Sequence, residues 1–297
     1  MLAKLFHAAS RLVGLRSLRR SGSDRRPNSS HASRSRADTV LDQYVDALPC
    51  AQNAIDAVPG WNHAMPPRVG ATAGDTPLYQ DVRIPWCLEQ FGSIAGRKIL
   101  ELGPLEGMHT YLLDQQQPEF IHAIEANRLA FLRCLITKEL LEVKRAKFFL
   151  GNFLPWLEQT DVRYDLIIAS GVLYHMSNPV HLMELVARRS SAVYLWTHYF
   201  SEDAMPKGDL RREAMSGEVE TIVFRDLSVP LYRRGYHNAW KAKTFCGGMH
   251  DRHYWMAKND IVKILDLLGF DDIRTAHDHP DHPNGPAMSI FARRSEV

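Results

Sequence analysis

The chain has 297 residues, 45% of them apolar and six of them tryptophan, with 36 Lys and Arg against 34 Asp and Glu. That length suits one α/β domain with elaborations, or at most two domains, and the apolar share excludes a disordered body. Cys50, Cys87, Cys134 and Cys246 are far apart and form no C-x-x-C pair, so neither a disulfide framework nor a zinc cluster is implied.

Charge is unevenly spread along the chain. Residues 1–38 hold nine Lys or Arg against Asp24 and Asp38, a balance of +7, and residues 39–297 hold 27 against 32, a balance of −5. The leader spaces Leu2, Leu5, Phe6, Leu12, Val13 and Leu15 almost helically between basic residues. Residues 1–38 read as a basic, Arg/Ser-rich flexible leader, and residues 1–20 could lie on an anionic membrane surface. They are too short and too charged to span a bilayer. The acidic body argues against a nucleic-acid partner, which would need a positive working face. A cytoplasmic protein, with peripheral membrane contact as the one elaboration, is expected.

Residues 39–96 form a helical lead-in. A helix is expected within Val40–Val58, then a Pro/Gly-rich stretch from Pro59 to Gly74, then a helix from Pro77 to Phe91. From residue 97 onward apolar runs of strand length alternate with helical patterns. The strands are Ile99–Leu102, Ile121–Ile124, Phe148–Leu150, Leu166–Ala169 and Ala192–Trp196. The helices are Met108–Gln115, Arg128–Leu141 and Pro179–Arg189. Such alternation predicts a doubly wound, mostly parallel sheet with helices on both faces and ligands beyond the carboxyl ends of the strands.

Residues 197–255 break the rhythm. Val219–Phe224 and Leu227–Tyr232 have strand character and suit a hairpin, and Tyr236, Trp240, Phe245, His250, His253 and Trp255 then crowd a loop-like stretch. An aromatic insertion at the ligand end of the sheet is where an acceptor would bind. A helix over Asn259–Gly269 and strands at Asp272–Thr275 and Ala287–Ala292 complete a seven-stranded sheet. The pairs around His250–His253 and His277–His282 carry metal-ligand residue types without a tight helical spacing. They read as solvated loops, and no metal is expected.

The richest segment is Lys98-Ile-Leu-Glu-Leu-Gly-Pro-Leu-Glu-Gly-Met-His109, followed by the run ending Ile121-His-Ala-Ile-Glu-Ala126. It reads as strand, glycine turn, helix and a second strand capped by a carboxylate, the unit that holds an adenosine. Gly103 and Gly107 would let backbone approach the ligand, and Glu125 with Ala126 sits where two ribose hydroxyls are bound. A dinucleotide turn would carry a glycine where Leu105 stands, and Glu106 would repel a pyrophosphate. S-adenosyl-L-methionine, with a sulfonium and an ammonium and no phosphate, is the inferred cofactor. Downstream, Asn152 and Phe153 supply an amide for an adenine edge and a ring for its face, and Ser170 begins a small-residue turn after the fourth strand.

These segments resemble the motifs of the class I S-adenosylmethionine-dependent methyltransferases. Glu101-Leu-Gly-Pro-Leu-Glu-Gly107 matches the E-x-G-x-G-x-G loop except at Leu105. Gly171-Val-Leu-Tyr-His175 with Asn178-Pro179 is similar to a segment of tRNA-uridine carboxymethyltransferase-like proteins and their small-molecule methyltransferase relatives. The resemblance covers about residues 78 to 292 and implies a Rossmann-like fold and methyl transfer. It further implies that Glu101 faces the methionine ammonium, that Tyr79 and Arg83 lie near the carboxylate, and that Tyr174 and His198 line the acceptor side with Tyr79. His175 is the first candidate to contact the acceptor or take its proton. A small-molecule, glycan or lipid-linked acceptor is expected. A tRNA-modifying enzyme and a non-catalytic cofactor-binding subunit are the alternatives.

Overall fold

The apolar runs lie side by side, the central ones buried on both faces as a parallel sheet requires. In a computed structural model, which describes residues 44–295, β1 (Lys98–Leu102), β2 (Phe120–Glu125), β3 (Ala146–Leu150), β4 (Leu166–Ser170) and β5 (Ala192–His198) run parallel. They join β10 (Ala287–Arg293) and β9 (Asp272–His279) in a seven-stranded sheet of order β3-β2-β1-β4-β5-β10-β9, with β10 antiparallel to both neighbours. This is the expected doubly wound, mostly parallel architecture.

Side-chain alternation divides the core into two layers. Ile99, Ile121, Ala123, Leu166 and Ile168 pack with α2 (Arg83–Phe91), α3 (Met108–Asp114) and α4 (Arg128–Leu140) on one face. Leu100, Leu102, Ile124, Ile167 and Ala169 pack on the other with α5 (Phe153–Gln159), α6 (Pro179–Arg189) and α7 (Lys258–Leu267). Three helices open on an asparagine whose side-chain oxygen accepts an orphan backbone N–H: Asn127 from Ala130, Asn152 from Leu154 and Asn178 from His181. Each cap follows a strand of the sheet or its turn, so the capped helix ends gather at the carboxyl edge.

The excursion builds a second sheet of three antiparallel strands, β6 (Met215–Phe224), β7 (Leu227–Arg234) and β8 (His253–Met256), in the order β6-β7-β8. The expected hairpin is β6–β7, and β8 was read as loop. His253 is fully buried in that strand, so the solvated-loop reading of the His250–His253 pair fails there. Likewise β9 continues to His279, placing His277 and His279 in a strand instead of a loop. Of the helix expected within Val40–Val58, the described residues form only Ala51–Asp56 (α1), and the run from Pro77 breaks into a short turn at Leu78–Gln80 before α2. Residues from Ala47 onward form one compact unit. The basic leader and its membrane-surface segment, residues 1–20, lie outside the described residues. Among the described residues no helix is long and apolar enough to cross a membrane.

Candidate functional site

The carboxyl ends of β1, β2 and β4 open into a cavity of about 870 Å³. Of the residues singled out in the sequence, Arg83, Glu101, Gly103, Leu105, Glu125, Ala126, Asn152, Phe153, Ser170, Tyr174 and His175 line it. Gly107, Tyr79 and His198 do not.

The turn after β1 depends on three residues with positive φ: Gly103 (63°), Leu105 (56°) and Gly107 (77°). Leu105 occupies the left-handed region that glycine holds at little cost, so the departure from the glycine pattern is absorbed as local strain. Gly107 serves packing instead of a ligand, because a Cβ there would stand 3.3 Å from Phe148 Cζ. Glu106 also departs from expectation. Its carboxylate points away from the cavity and is fully buried, accepting the backbone N–H groups of Asn62 and His63 at 2.8 Å each and pairing with Arg133 Nη1 at 3.2 Å. It anchors the lead-in segment, so it cannot be what repels a pyrophosphate.

The cavity's own acids take that role. Glu101 is buried between β2 and β4 and accepts a 2.5 Å hydrogen bond from Thr110 Oγ1. Desolvation pushes its pKa up to about 7, and the nearby Glu125 carboxylate adds to the rise. Glu125 ends β2, with Oε2 accepting Leu105 N–H at 3.0 Å and Oε1 accepting Asn127 N–H at 2.8 Å. Burial raises its pKa as well, against those two amide bonds. Each oxygen keeps a lone pair for a further donor. Two desolvated carboxylates in one cavity favour a cation and disfavour a diphosphate.

Opposite them stands Arg83. Asp81 grips its Nε and Nη2, the latter at 2.6 Å, and also accepts Nε2–H of His109 at 2.6 Å. The hydrogen bonds from His109 and Arg83 outweigh burial and hold the Asp81 carboxyl well below its ordinary value. The guanidinium lies 4.5 Å from the Trp196 ring, fixed for approach by an anionic group. Tyr79 instead packs against the apolar layer beneath α2 and α3.

Where the insertion meets the cavity, His175 Nδ1 lies 2.5 Å from Tyr236 Oη, which also accepts Gly248 N–H at 2.7 Å. A phenol has one proton, and donating it to Nδ1 is the arrangement that uses every partner present. His175 is then neutral with its proton on Nε2, and desolvation keeps its pKa well below the ordinary value. It is built as a hydrogen-bond donor more than as a base. His198 sits behind the wall, donating Nδ1–H to Gly285 O at 2.8 Å and stacking on Trp255 with centroids 5.0 Å apart. It meets Tyr174 edge-on at 4.6 Å.

His63, His109 and Trp196 join the wall without having been singled out in the sequence, and of the run Trp240 with Phe245–His250 only Trp240, Phe245 and His250 were named as part of the insertion where an acceptor would bind. The aromatic crowding of the insertion was the only signal for that run. His63 and His109 had none, since their placement depends on Asp81 and Glu106.

No family model matches the chain. Among curated proteins, a tRNA U34 carboxymethyltransferase of Hydrogenovibrio crunogenus (strain DSM 25203 / XCL-2) is 26% identical over 114 residues, which cover 37% of this chain and 34% of that protein. The chain thus matches about a third of that relative's length. Among solved structures, the N-terminal domain of EvdMO1 in the presence of SAH and D-fucose superposes with a TM-score of 0.62 at 23% identity, covering 82% of this chain and 95% of that one. The same domain with SAH bound gives 0.60 at 23% identity, covering 83% and 95%. Together with the strand order and the antiparallel β10, this similarity establishes that the chain has the Rossmann-like fold of the class I S-adenosylmethionine-dependent methyltransferases.

Proposed function

We propose that the chain is an S-adenosylmethionine-dependent methyltransferase whose acceptor is a small molecule, a glycan or a lipid-linked precursor. The observation that carries this reading is Glu101, a buried carboxylate with a raised pKa and no cation among the described residues to offset it. The methionine ammonium fits that vacancy of charge, and Arg83 offers a counter-charge for the carboxylate of the same moiety. Glu125 has lone pairs for ribose hydroxyls. Asn152, whose Oδ1 caps α5, keeps Nδ2 for an adenine edge beside Phe153.

When bound, the cofactor supplies an electrophilic methyl on sulfur, which an acceptor lone pair displaces in line as the carbon–sulfur bond breaks. The protein's part is alignment of donor and acceptor. Tyr174, His175 and the Phe245–His250 run line the same cavity as Glu101 and Glu125, and His175 Nε2–H orients an acceptor oxygen or nitrogen. Near-neutral binding chemistry and aromatic walls suit a compact acceptor. A tRNA acceptor is the second reading, favoured by the partial likeness to the Hydrogenovibrio tRNA U34 carboxymethyltransferase.

The test is calorimetry of the purified chain with S-adenosylmethionine, its demethylated product and NAD, followed by methyl-labelled cofactor with fractionated extract. Binding of the first two and label in a non-nucleic-acid fraction are expected. Uptake of NAD alone overturns the cofactor, and label in tRNA overturns the acceptor.

A further inference from the structure

We propose that Arg234 forms a second binding site, which takes an anionic oxygen group, a carboxylate or a phosphate, in the cavity between the end of β7 and the Pro283–Asn284 turn. This cavity, of about 500 Å³, shares no wall residue with the larger one. The inference goes beyond methyl transfer and does not require it.

Arg234 ends β7 opposite His253 of β8, while Tyr232 stands opposite Trp255. By the pleat all four side chains share one face of the small sheet. The guanidinium lies 4.8 Å from the centre of the Trp255 ring, and Trp255 is fully buried. Arg234 Nε is enclosed yet has no hydrogen-bond partner, and among the described residues no carboxylate pairs with the group. Burial lowers its pKa, opposed only by the phenols of Tyr236 and Tyr174.

Its neighbours behave differently. Arg233 pairs with Glu218, Arg252 with Glu220, and Arg211, which lines the same cavity, bonds Asp209 and the carbonyl oxygens of Pro280 and Ala204. Arg234 is therefore the wall's one cation left unanswered among the described residues. An unpaired, desolvated guanidinium is costly to keep, and a bidentate oxyanion is the ligand that offsets the cost. The amide of Asn284 and the ring of His237 complete a polar wall, and Glu213 stands exposed at the rim.

The experiment titrates the full chain with inorganic phosphate at constant ionic strength, by calorimetry and thermal shift, for the unaltered protein, Arg234→Met, Arg234→Lys and Glu213→Gln. Saturable binding is expected, weakened about tenfold or more by Arg234→Met, in keeping with the strength of hydrogen bonds to a charged group. Arg234→Lys retains part of it and Glu213→Gln tightens it. No saturable binding, or equal binding by Arg234→Met, overturns the site. Cofactor binding is a separate isotherm, so loss of either reading leaves the other legible. The source of the anion is distinguished with methyl-labelled cofactor and extract. Labelled product retained on an anion exchanger, with KM raised by Arg234→Met, assigns the group to the acceptor. Neutral product formed equally by both proteins assigns it to a separate anion.

Discussion

Flanking Glu101 with β2 and β4 removes its carboxylate from water, and Thr110 Oγ1 compensates only part of that loss. The group titrates near 7 in the fold and near 4.5 unfolded, so between those values the unfolded chain has already lost the proton that the fold retains. Ionisation of Glu101 therefore removes stability as pH rises from 4.5 through 7, and the loss is complete above. Glu101→Gln should raise the stability of the ligand-free protein at pH 8 by about 3 kcal/mol and by little at pH 4.5. The same change should abolish measurable S-adenosylmethionine binding. Denaturant titration at the two pH values checks the first effect and calorimetry the second, and a destabilised variant at pH 8 would contradict the argument. In the unaltered protein, cofactor binding below pH 7 should release a proton, read as a dependence of binding heat on buffer ionisation.

Tyr236 acts through His175. With its hydroxyl donating to Nδ1, the imidazole presents Nε2–H to the cavity. Tyr236→Phe frees both ring tautomers and leaves Gly248 N–H without its acceptor. Turnover should fall about tenfold, the scale of one lost charge-free hydrogen bond in a desolvated site, while cofactor affinity holds. Nitrogen-15 spectra should show His175 protonated on Nε2 in the unaltered protein and mixed in the variant. A protonated Nδ1 in the unaltered protein would return His175 to the role of base.

At the scale of elements, the central parallel strands were legible because both faces of β1, β4 and β5 are buried, which leaves short apolar runs bounded by turns. β8 was not, since its four residues begin with His253 after Asp251 and Arg252, and its burial is decided by β7 and the walls around it. α5 was obscured by Pro155, whereas α2 was legible despite Pro85. Each proline stands at the third helical position, where a backbone N–H has no partner within the helix, so neither breaks it. The cofactor loop was legible as a loop, but the direction of Glu106 was not, because its partners Asn62, His63 and Arg133 come from distant sequence. The sequence suggests Asn152 as a ligand group, and the structure shows it as the cap of α5. The cap and the proposed ligand role separate by substitution. Asn152→Ala should cost about 1 kcal/mol of stability through the lost cap. Asn152→Asp should keep the cap and lose the Nδ2 donor, weakening cofactor binding with an unchanged melting temperature. Equal cofactor affinity in Asn152→Asp would remove Asn152 from the adenine site.

Across the whole molecule, two segments far apart in sequence wall the cavity, and Arg133 ties them together. This side chain is 1% exposed and bonds the carbonyl oxygens of Pro59 and Lys243 as well as Glu106. The same two segments touch again where Asn62 Nδ2 donates to Thr244 O, and where Gly60, at φ 83°, leaves no room for a Cβ against Lys243. His63 on one side and Phe245–His250 on the other then reach the cavity wall together. Removing the cation leaves Glu106 buried and uncompensated, so Arg133→Met should destabilise the fold by about 3–5 kcal/mol. Because both walls lose their common anchor, amide hydrogen exchange should accelerate at residues 59–63 and 243–248 together, with weaker cofactor binding and unchanged protection in β1, β4 and β5. The double variant Arg133→Met with Glu106→Gln should recover stability by removing the stranded charge, yet leave the Lys243 carbonyl untethered and its segment fast-exchanging. Recovery of slow exchange at both segments in that double variant would show that charge balance, and not the triple tether, holds the cavity wall together.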